Sequence, residues 1–200
     1  MKTICFLLSF TLFTTINAQD IARVNKINGI EVYILSEPIR KYDVVMGQGN
    51  TIQWTSFVTG GLVNDNIATK ITKYVRALQD KATSEKIVFD AIIYTNGKSV
   101  SAIKFTDEKT EENDRVAEVQ KMSGIPVFIM SEPLKNYTVE NEKGGGVKWK
   151  SLVTAGLANN SIEEDIQKYV GKFQNLFKKG KIDAIQYSRG RDCNGIKYKP

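Results

Sequence analysis

Two carboxylates stand in a repeated setting: Glu37 in Ser36-Glu37-Pro38 and Glu132 in Ser131-Glu132-Pro133. Asp90 and Asp183 each open a later apolar stretch, Asp90-Ala91-Ile92 and Asp183-Ala184-Ile185. A pair of carboxylates is enough for general acid–base hydrolysis, one group giving a proton while the other activates water. The same residue types also cap turns and open strands, which is their commoner use. The structural role is the expectation. No catalytic residue is assigned, and Glu37 and Glu132 stand as candidate binding residues. Trp54 and Trp149 join them. Each opens a Thr- and Gly-containing stretch ahead of a helix, Trp54 to Asn64 and Trp149 to Asn159. Indole rings there can stack on a ligand or anchor a protein interface, and they can equally fill a core.

Several chemistries lack their parts. The chain has no His and two Cys, Cys5 and Cys193, so the commonest metal ligand and general base is missing. No metal and no cofactor are expected. Gly47-Gln48-Gly49, Gly60-Gly61 and Gly144 to Gly146 invite a phosphate-loop reading. None is followed directly by the Lys and Ser or Thr that such a loop requires, so they read as turns. The net charge is +6, but the lysines are mixed with acids. The one basic cluster, Phe177-Lys178-Lys179-Gly180-Lys181, sits where a helix should end and complements its dipole. A nucleic-acid partner is not expected.

The elements that position these residues come from a repeat. A shift of 95 residues superposes Gly29 to Pro38 on Gly124 to Pro133, Tyr42 on Tyr137, Trp54 on Trp149 and Lys73-Tyr74-Val75 on Lys168-Tyr169-Val170. Within each copy, Asn28-Gly29 or Ser123-Gly124 is a tight hairpin turn between Val24 to Ile27 and Ile30 to Leu35, or their counterparts. Pro38 and Pro133 stop the second strand. Tyr42 to Met46 and Tyr137 to Val139 are third strands. Helices follow, with apolar stripes Ile67, Ile71, Tyr74, Val75, Leu78, Ala82 and Ile162, Ile166, Tyr169, Val170, Phe173, Phe177. Asn66 caps the first, and Ser161 with Glu164 forms a capping box on the second. A hairpin closes each copy, through Asn96-Gly97 in one and near Gly190 in the other.

The reading is an α+β fold of two tandem homologous β-β-β-α-β-β modules, each a mostly antiparallel sheet with one helix packed on one face. Module one spans 19–105 and module two 116–200. The acid-rich stretch 106–115 has no apolar residue and reads as a solvated linker. Residues 1–18 read as a signal peptide, with Lys2, an apolar run from Ile4 to Ile16, and Ala18 before the cut. The expected product is exported to the periplasm or beyond, with no integral membrane segment after cleavage. Cys193 is then the single thiol and a buried strand residue. Asn136-Tyr137-Thr138 and Asn159-Asn160-Ser161 are glycosylation sequons.

Pro38, Tyr42, Val58-Thr59-Gly60 and Asp90 to Ile93 together resemble the YbjQ-type family of small α+β units. That resemblance implies assembly into rings through sheet edges. The family's heavy-metal label does not carry over to a chain with this ligand inventory. The chain also resembles the small exported proteins common in Bacteroidetes. The function expected is non-enzymatic: self-association, or binding of an envelope or extracellular protein partner. The alternative is a small ligand held between the repeats near Trp54 and Trp149.

Overall fold

The structure, a computed structural model, describes residues 20–47, 67–95, 99–140, 147–148, 162–188 and 192–200. Its first half runs β1 (Ile21–Val24), β2 (Lys26–Ile27), β3 (Ile30–Ile34), β4 (Ser36–Pro38), β5 (Tyr42–Met46), α1 (Ile67–Glu85), β6 (Ala91–Thr95) and β7 (Ser99–Phe105). The second runs β8 (Val116–Val119), β9 (Lys121–Met122), β10 (Ile125–Ile129), β11 (Ser131–Pro133), β12 (Tyr137–Glu140), β13 (Val147–Lys148), α2 (Ile162–Lys178), β14 (Ala184–Ser188) and β15 (Asp192–Tyr198). The fold is mixed α+β, strand-rich, with two helices and three sheets among the described residues.

Local chemistry sets the hairpins. Asn28 and Gly29 have φ of 51° and 83°, and Ser123 and Gly124 have 52° and 81°. Positive φ at both central residues is what a type I′ turn demands. Gly47, at φ 127°, leaves a turn in which any Cβ would lie 2.8 Å from the Val100 carbonyl. Asn66, Gly49, Gly60, Gly61, Asn96, Gly97, Gly144 to Gly146, Asn159 to Ser161, Gly190 and residues 1–18 lie outside the described residues.

The helices bury the expected stripes. Ile71, Val75, Leu78 and Ala82 of α1 are buried, as are Ile166, Val170 and Phe173 of α2. Each large aliphatic or aromatic among them contributes about 1.5–3 kcal/mol by leaving water. Of Ile67, Ile162, Glu164 and Tyr169 only the helical backbone is described. Because a helix intervenes, β3 and β6 pair in parallel, as do β10 and β14. The remaining pairings are antiparallel, so each larger sheet is antiparallel around one parallel centre.

The third sheet departs from the reading of two separate modules. Its order is β11-β1-β8-β4. The opening strand of each half hydrogen-bonds to the Ser-Glu-Pro strand of the other half, and the two opening strands pair with each other. In the β1–β8 ladder Ala22 lies opposite Ala117, which are equivalent residues under the 95-residue shift. Around that point Arg23 faces Glu132 while Glu118 faces Glu37, and Val24 faces Ser131 while Val119 faces Ser36.

Two backbone breaks permit this exchange. Val24 to Ile27 is not one strand: it splits at Asn25, so that β1 serves the exchanged sheet and β2 the local hairpin. The strand after the hairpin ends before its proline, at Leu35 (φ 47°) and Met130 (φ 50°). Non-glycine residues there cost about 1–3 kcal/mol. Hydrogen bonds hold the kinks: the Leu35 N–H donates to Tyr94 O (3.0 Å), its carbonyl accepts from the Gln120 N–H (3.0 Å), and the Met130 N–H donates to Tyr187 O (2.8 Å). Beyond each kink Ser-Glu-Pro is itself a strand, with the proline at its last position, where the missing donor costs least.

The exchange also covers the second face of each larger sheet. Val32, Ile34, Ile92 and Tyr94 point into the cluster shared with the helices, which runs continuously into Val127, Ile129 and Ile185 of the other half. Tyr33, Ala91, Ile93 and Ile103 pack on Val24 and Ala117. Phe128, Ala184 and Ile196 pack on Ala22 and Val119. A sheet buried on both faces needs unbroken apolar strands, and β10, Ile-Pro-Val-Phe-Ile, is buried at every position. The helix lies on one face of each larger sheet and the exchanged sheet covers the other.

Segment 106–115 is exposed along 108–112 and is tied down at both ends. Arg40, itself buried, donates to Asp107 Oδ1 (3.0 Å) and to its carbonyl (2.8 Å), and the Lys41 N–H donates to Asp107 Oδ2 (3.0 Å). Arg40 also stacks 3.9 Å from the Phe105 ring centroid. At the far end the Val24 N–H donates to Arg115 O (2.8 Å). Partial desolvation works to raise the Asp107 pKa, but the Lys41 N–H and the Arg40 guanidinium outweigh it and hold the carboxyl below its ordinary value of 3.8.

Three outcomes follow. Ala22→Glu places a charge at a fully buried position and is expected to cost at least about 3 kcal/mol. Because the halves share strands and core, chemical denaturation followed by circular dichroism and by fluorescence should show one coincident transition. Two separated transitions would contradict the shared sheet. Asp107 has a folded pKa below its unfolded one, so its contribution is present above the carboxylate range and lost as pH falls through it. Asp107→Asn should therefore lower the melting temperature at neutral pH, and the gap to the parent should close on acidification.

Candidate functional site

The outward face of the four-stranded sheet carries the most organised set of exposed side chains among the described residues. Alternation along each strand points Ala22, Val24, Ala117, Val119, Ser36, Pro38, Ser131 and Pro133 inward, and all are buried. Two rows face out. Across β11, β1, β8 and β4 the first row reads Leu134, Ile21, Glu118, Glu37, and the second Glu132, Arg23, Val116, Ile39. Leu134 and Ile39 extend the ladders by one residue, their N–H groups donating to Ile21 O and Val116 O at 3.1 Å. Both are 46% exposed. The apolar corners lie on one diagonal: Leu134 with Ile21, and Ile39, whose neighbour Val116 is only 2% exposed and adds no free surface. The other diagonal joins Glu37 with Glu118 to Glu132 with Arg23.

The two candidate carboxylates have different duties. Glu132 Oε2 accepts from the Tyr137 hydroxyl (2.6 Å) and from Gln186 Nε2 (2.7 Å), and Gln186 also donates to the Tyr137 oxygen (2.9 Å). Gln186 is a buried amide, so this carboxylate satisfies a group cut off from water. Glu37 accepts from the Tyr42 hydroxyl. At the position matching Gln186, this half carries Ile93, which needs no partner. Burial first, then the bond to its carboxylate, raises each phenol: Tyr42 up to about 12, and Tyr137 in the same direction.

Glu132 is turned to Tyr137 and Gln186, and no ion pair joins it to Arg23, which faces it across the ladder. Arg23 and Glu118 occupy equivalent positions and are both exposed. Neither has an ion-pair or hydrogen-bond partner among the described residues. Glu118 lies directly opposite Glu37, a like-charge pairing that is mildly unfavourable. The acidic corner opens into a groove of about 410 Å³ lined by Asp20, Glu37, Glu118, Val119, Gln120 and Lys121. Lys121 Nζ holds Asp20 Oδ2 at 2.7 Å, while Asp20 Oδ1 is buried without a hydrogen-bond partner.

The other candidates are structural. Asp90 Oδ2 accepts the Phe105 N–H (2.9 Å). Asp183 Oδ2 accepts the Tyr198 N–H (2.8 Å), and its Oδ1 pairs with Lys197 (2.7 Å). These clamps fix the ends of β7 and β15, and each carboxylate faces a partner of its own. Cys193 is buried and unpaired, and burial raises its thiol pKa to about 12, which leaves it an inert apolar side chain. Among the described residues no three acid, Cys or His side chains converge as metal ligands, and no helix is long and apolar enough to cross a membrane. Trp54 and Trp149 lie outside the described residues.

Comparison with family models, with curated proteins and with solved structures found no match for this chain. Sequence reasoning reached Glu37 and Glu132 but missed Arg23 and Glu118. The signal was present: Ala22-Arg23-Val24 aligns with Ala117-Glu118-Val119, a charge reversal between two otherwise identical residues.

The asymmetry between the two carboxylates is measurable. Glu132→Ala removes one of the two acceptors of the buried Gln186 amide and the acceptor of the Tyr137 hydroxyl, and is expected to cost about 1–3 kcal/mol. Glu37→Ala removes an exposed bond and relieves the clash with Glu118, so its cost should stay below about 1 kcal/mol. Urea denaturation of both variants tests this. Equal losses would show that Gln186 does not depend on Glu132.

Proposed function

We propose that this chain is an exported, non-enzymatic interaction protein that acts by associating with itself, and through that assembly with an envelope or extracellular partner. The observation that carries the reading is the outward face of the exchanged sheet. It presents unpaired charges of both signs, at Arg23 and Glu118, and exposed aliphatic side chains at Leu134 and Ile39. Exposed aliphatics grouped with unpaired charge mark contact surfaces more than they mark solvent-facing ones. The carboxylates that would serve hydrolysis are engaged separately, by Tyr42, by Tyr137 with Gln186, and by the backbone at Phe105 and Tyr198.

Export is supported by the basic-apolar-small leader of residues 1–18 and by a remaining chain with a single, buried thiol. We read the two halves as a duplicated α+β module fused into one chain. The matched Ser-Glu-Pro strands, the paired kinks at Leu35 and Met130, and the Ala22–Ala117 register support that reading. A fused pair with exchanged strands has the organisation of a dimer made permanent, a scaffold suited to presenting surfaces.

Sedimentation velocity on the purified protein over a hundredfold concentration range tests the proposal. A concentration-dependent rise in sedimentation coefficient is expected. A monomer across the whole range, together with no stoichiometric partner in crosslinked capture from the native envelope or secreted fraction, would overturn it.

A further inference from the structure

We infer that the outward face of the β11-β1-β8-β4 sheet docks on the same face of a second copy, through an in-plane two-fold that sets Arg23 of each chain on Glu118 of the other. This rests on the self-association reading and names its surface. The pattern of the face selects the axis. Apolar corners occupy one diagonal and charged corners the other. A two-fold along the strands, or across them, lays an apolar corner on a charged one. A two-fold along the charged diagonal joins the apolar corners but stacks Glu37 and Glu118 on themselves. A two-fold along the apolar diagonal sets Leu134 on Leu134, Ile39 on Ile39, and the acidic corner on the Arg23 corner twice over.

The face is about 14 Å wide and about 7 Å tall, so that last axis crosses the strands of the two sheets at about 50°. It closes on itself, giving a dimer and not a fibre.

The wider charge agrees. Around the acidic corner stand Asp20, Glu37 and Glu118 with Lys121. The equivalent positions at the opposite corner are Arg115, Glu132 and Arg23 with Lys26. Asp20 is buried and held by Lys121, so the charges that meet on the face itself are Glu37 and Glu118 with Glu132 and Arg23. Within each chain Arg115 and Lys26 have acidic neighbours in Asp114 and Glu31. Arg23 and Glu118 have none among the described residues, so they carry the attraction. The face is four short strands wide, which places the interface at the low end of specific contacts, under about 1,200 Å² in total. A dissociation constant on the order of 10 μM, weakening with salt, is expected.

Sedimentation equilibrium on the full-length purified protein tests the surface by charge exchange. Arg23→Glu and Glu118→Arg should each weaken dimerisation about tenfold or more, and the double variant should regain the parent affinity. Leu134→Asp should weaken it in the same way without rescue. Glu118→Arg replaces a like-charge pairing with Glu37 by an attractive one, so its fold is not at risk, and melting curves check each protein. Dimers unchanged in both single variants, or a double variant as weak as either single, would overturn this interface while leaving self-association standing. A parent that stays monomeric would overturn this interface and the self-association on which it rests.

Discussion

The contact on which the molecule depends is the antiparallel ladder between β1 and β8, centred on Ala22 opposite Ala117. Both are fully buried, and their side chains serve opposite halves, Ala22 in the cluster around Phe128 and Ala117 in the cluster around Tyr33. A methyl group at the crossing lets one thin sheet lie close to two others. Close-packed interiors tolerate little added volume at such a point. Each half gains from the other the strand that covers the underside of its sheet. Units of about 85 residues bury a limited fraction of their surface alone, and shared burial is the physical remedy.

That remedy costs strain. Leu35 and Met130 hold a left-handed backbone that β-sheet residues ordinarily avoid, and they do so in buried positions. The kink carries the chain from the larger sheet to the exchanged one while keeping the backbone bonded: at Leu35 the N–H goes to Tyr94 in one sheet and the carbonyl receives Gln120 beside the other. Hydrogen bonds left unmade in these buried turns would cost about 1–3 kcal/mol each, a penalty of the same size as the strain. The same logic fixes Asn25, where one extended run divides its service between two sheets.

Periodicity and turn chemistry exposed the local elements. Asn28-Gly29 and Ser123-Gly124 set their hairpins through positive φ, and the stripes at Ile71, Val75 and Leu78 and at Ile166, Val170 and Phe173 are the buried helix faces. The exchange was hidden because it is non-local. Strand pairing leaves a period of two whichever strand is the partner, and Ser-Glu-Pro looks like a strand end when its bonds go to residues eighty positions away. Burial of β10 at every position was legible as a sheet covered on both faces, but nothing local says what does the covering. Of the surface residues, Glu37 and Glu132 stood out through repetition. Arg23 and Glu118 did not, because they differ, and the difference is the informative part.

A symmetric homodimer cannot carry opposite charges at equivalent positions, since both copies have one sequence. Two Glu at residues 23 and 118 would join Glu37 and Glu132 in giving the face a single sign, and two Arg would make its two charged corners identical, so neither would give the corners opposite character. On the reading of this chain as fused copies, the covalent link removes that constraint. Equivalent positions diverge independently, the backbone symmetry stays, and the side-chain pattern acquires a direction. The apolar corners stay matched, Ile39 with Leu134 and Val116 with Ile21, so a second two-fold remains available. The reversed charges decide which one. On the proposed docking, the backbone supplies the symmetry and Arg23 with Glu118, which break it on the outward face, supply the specificity.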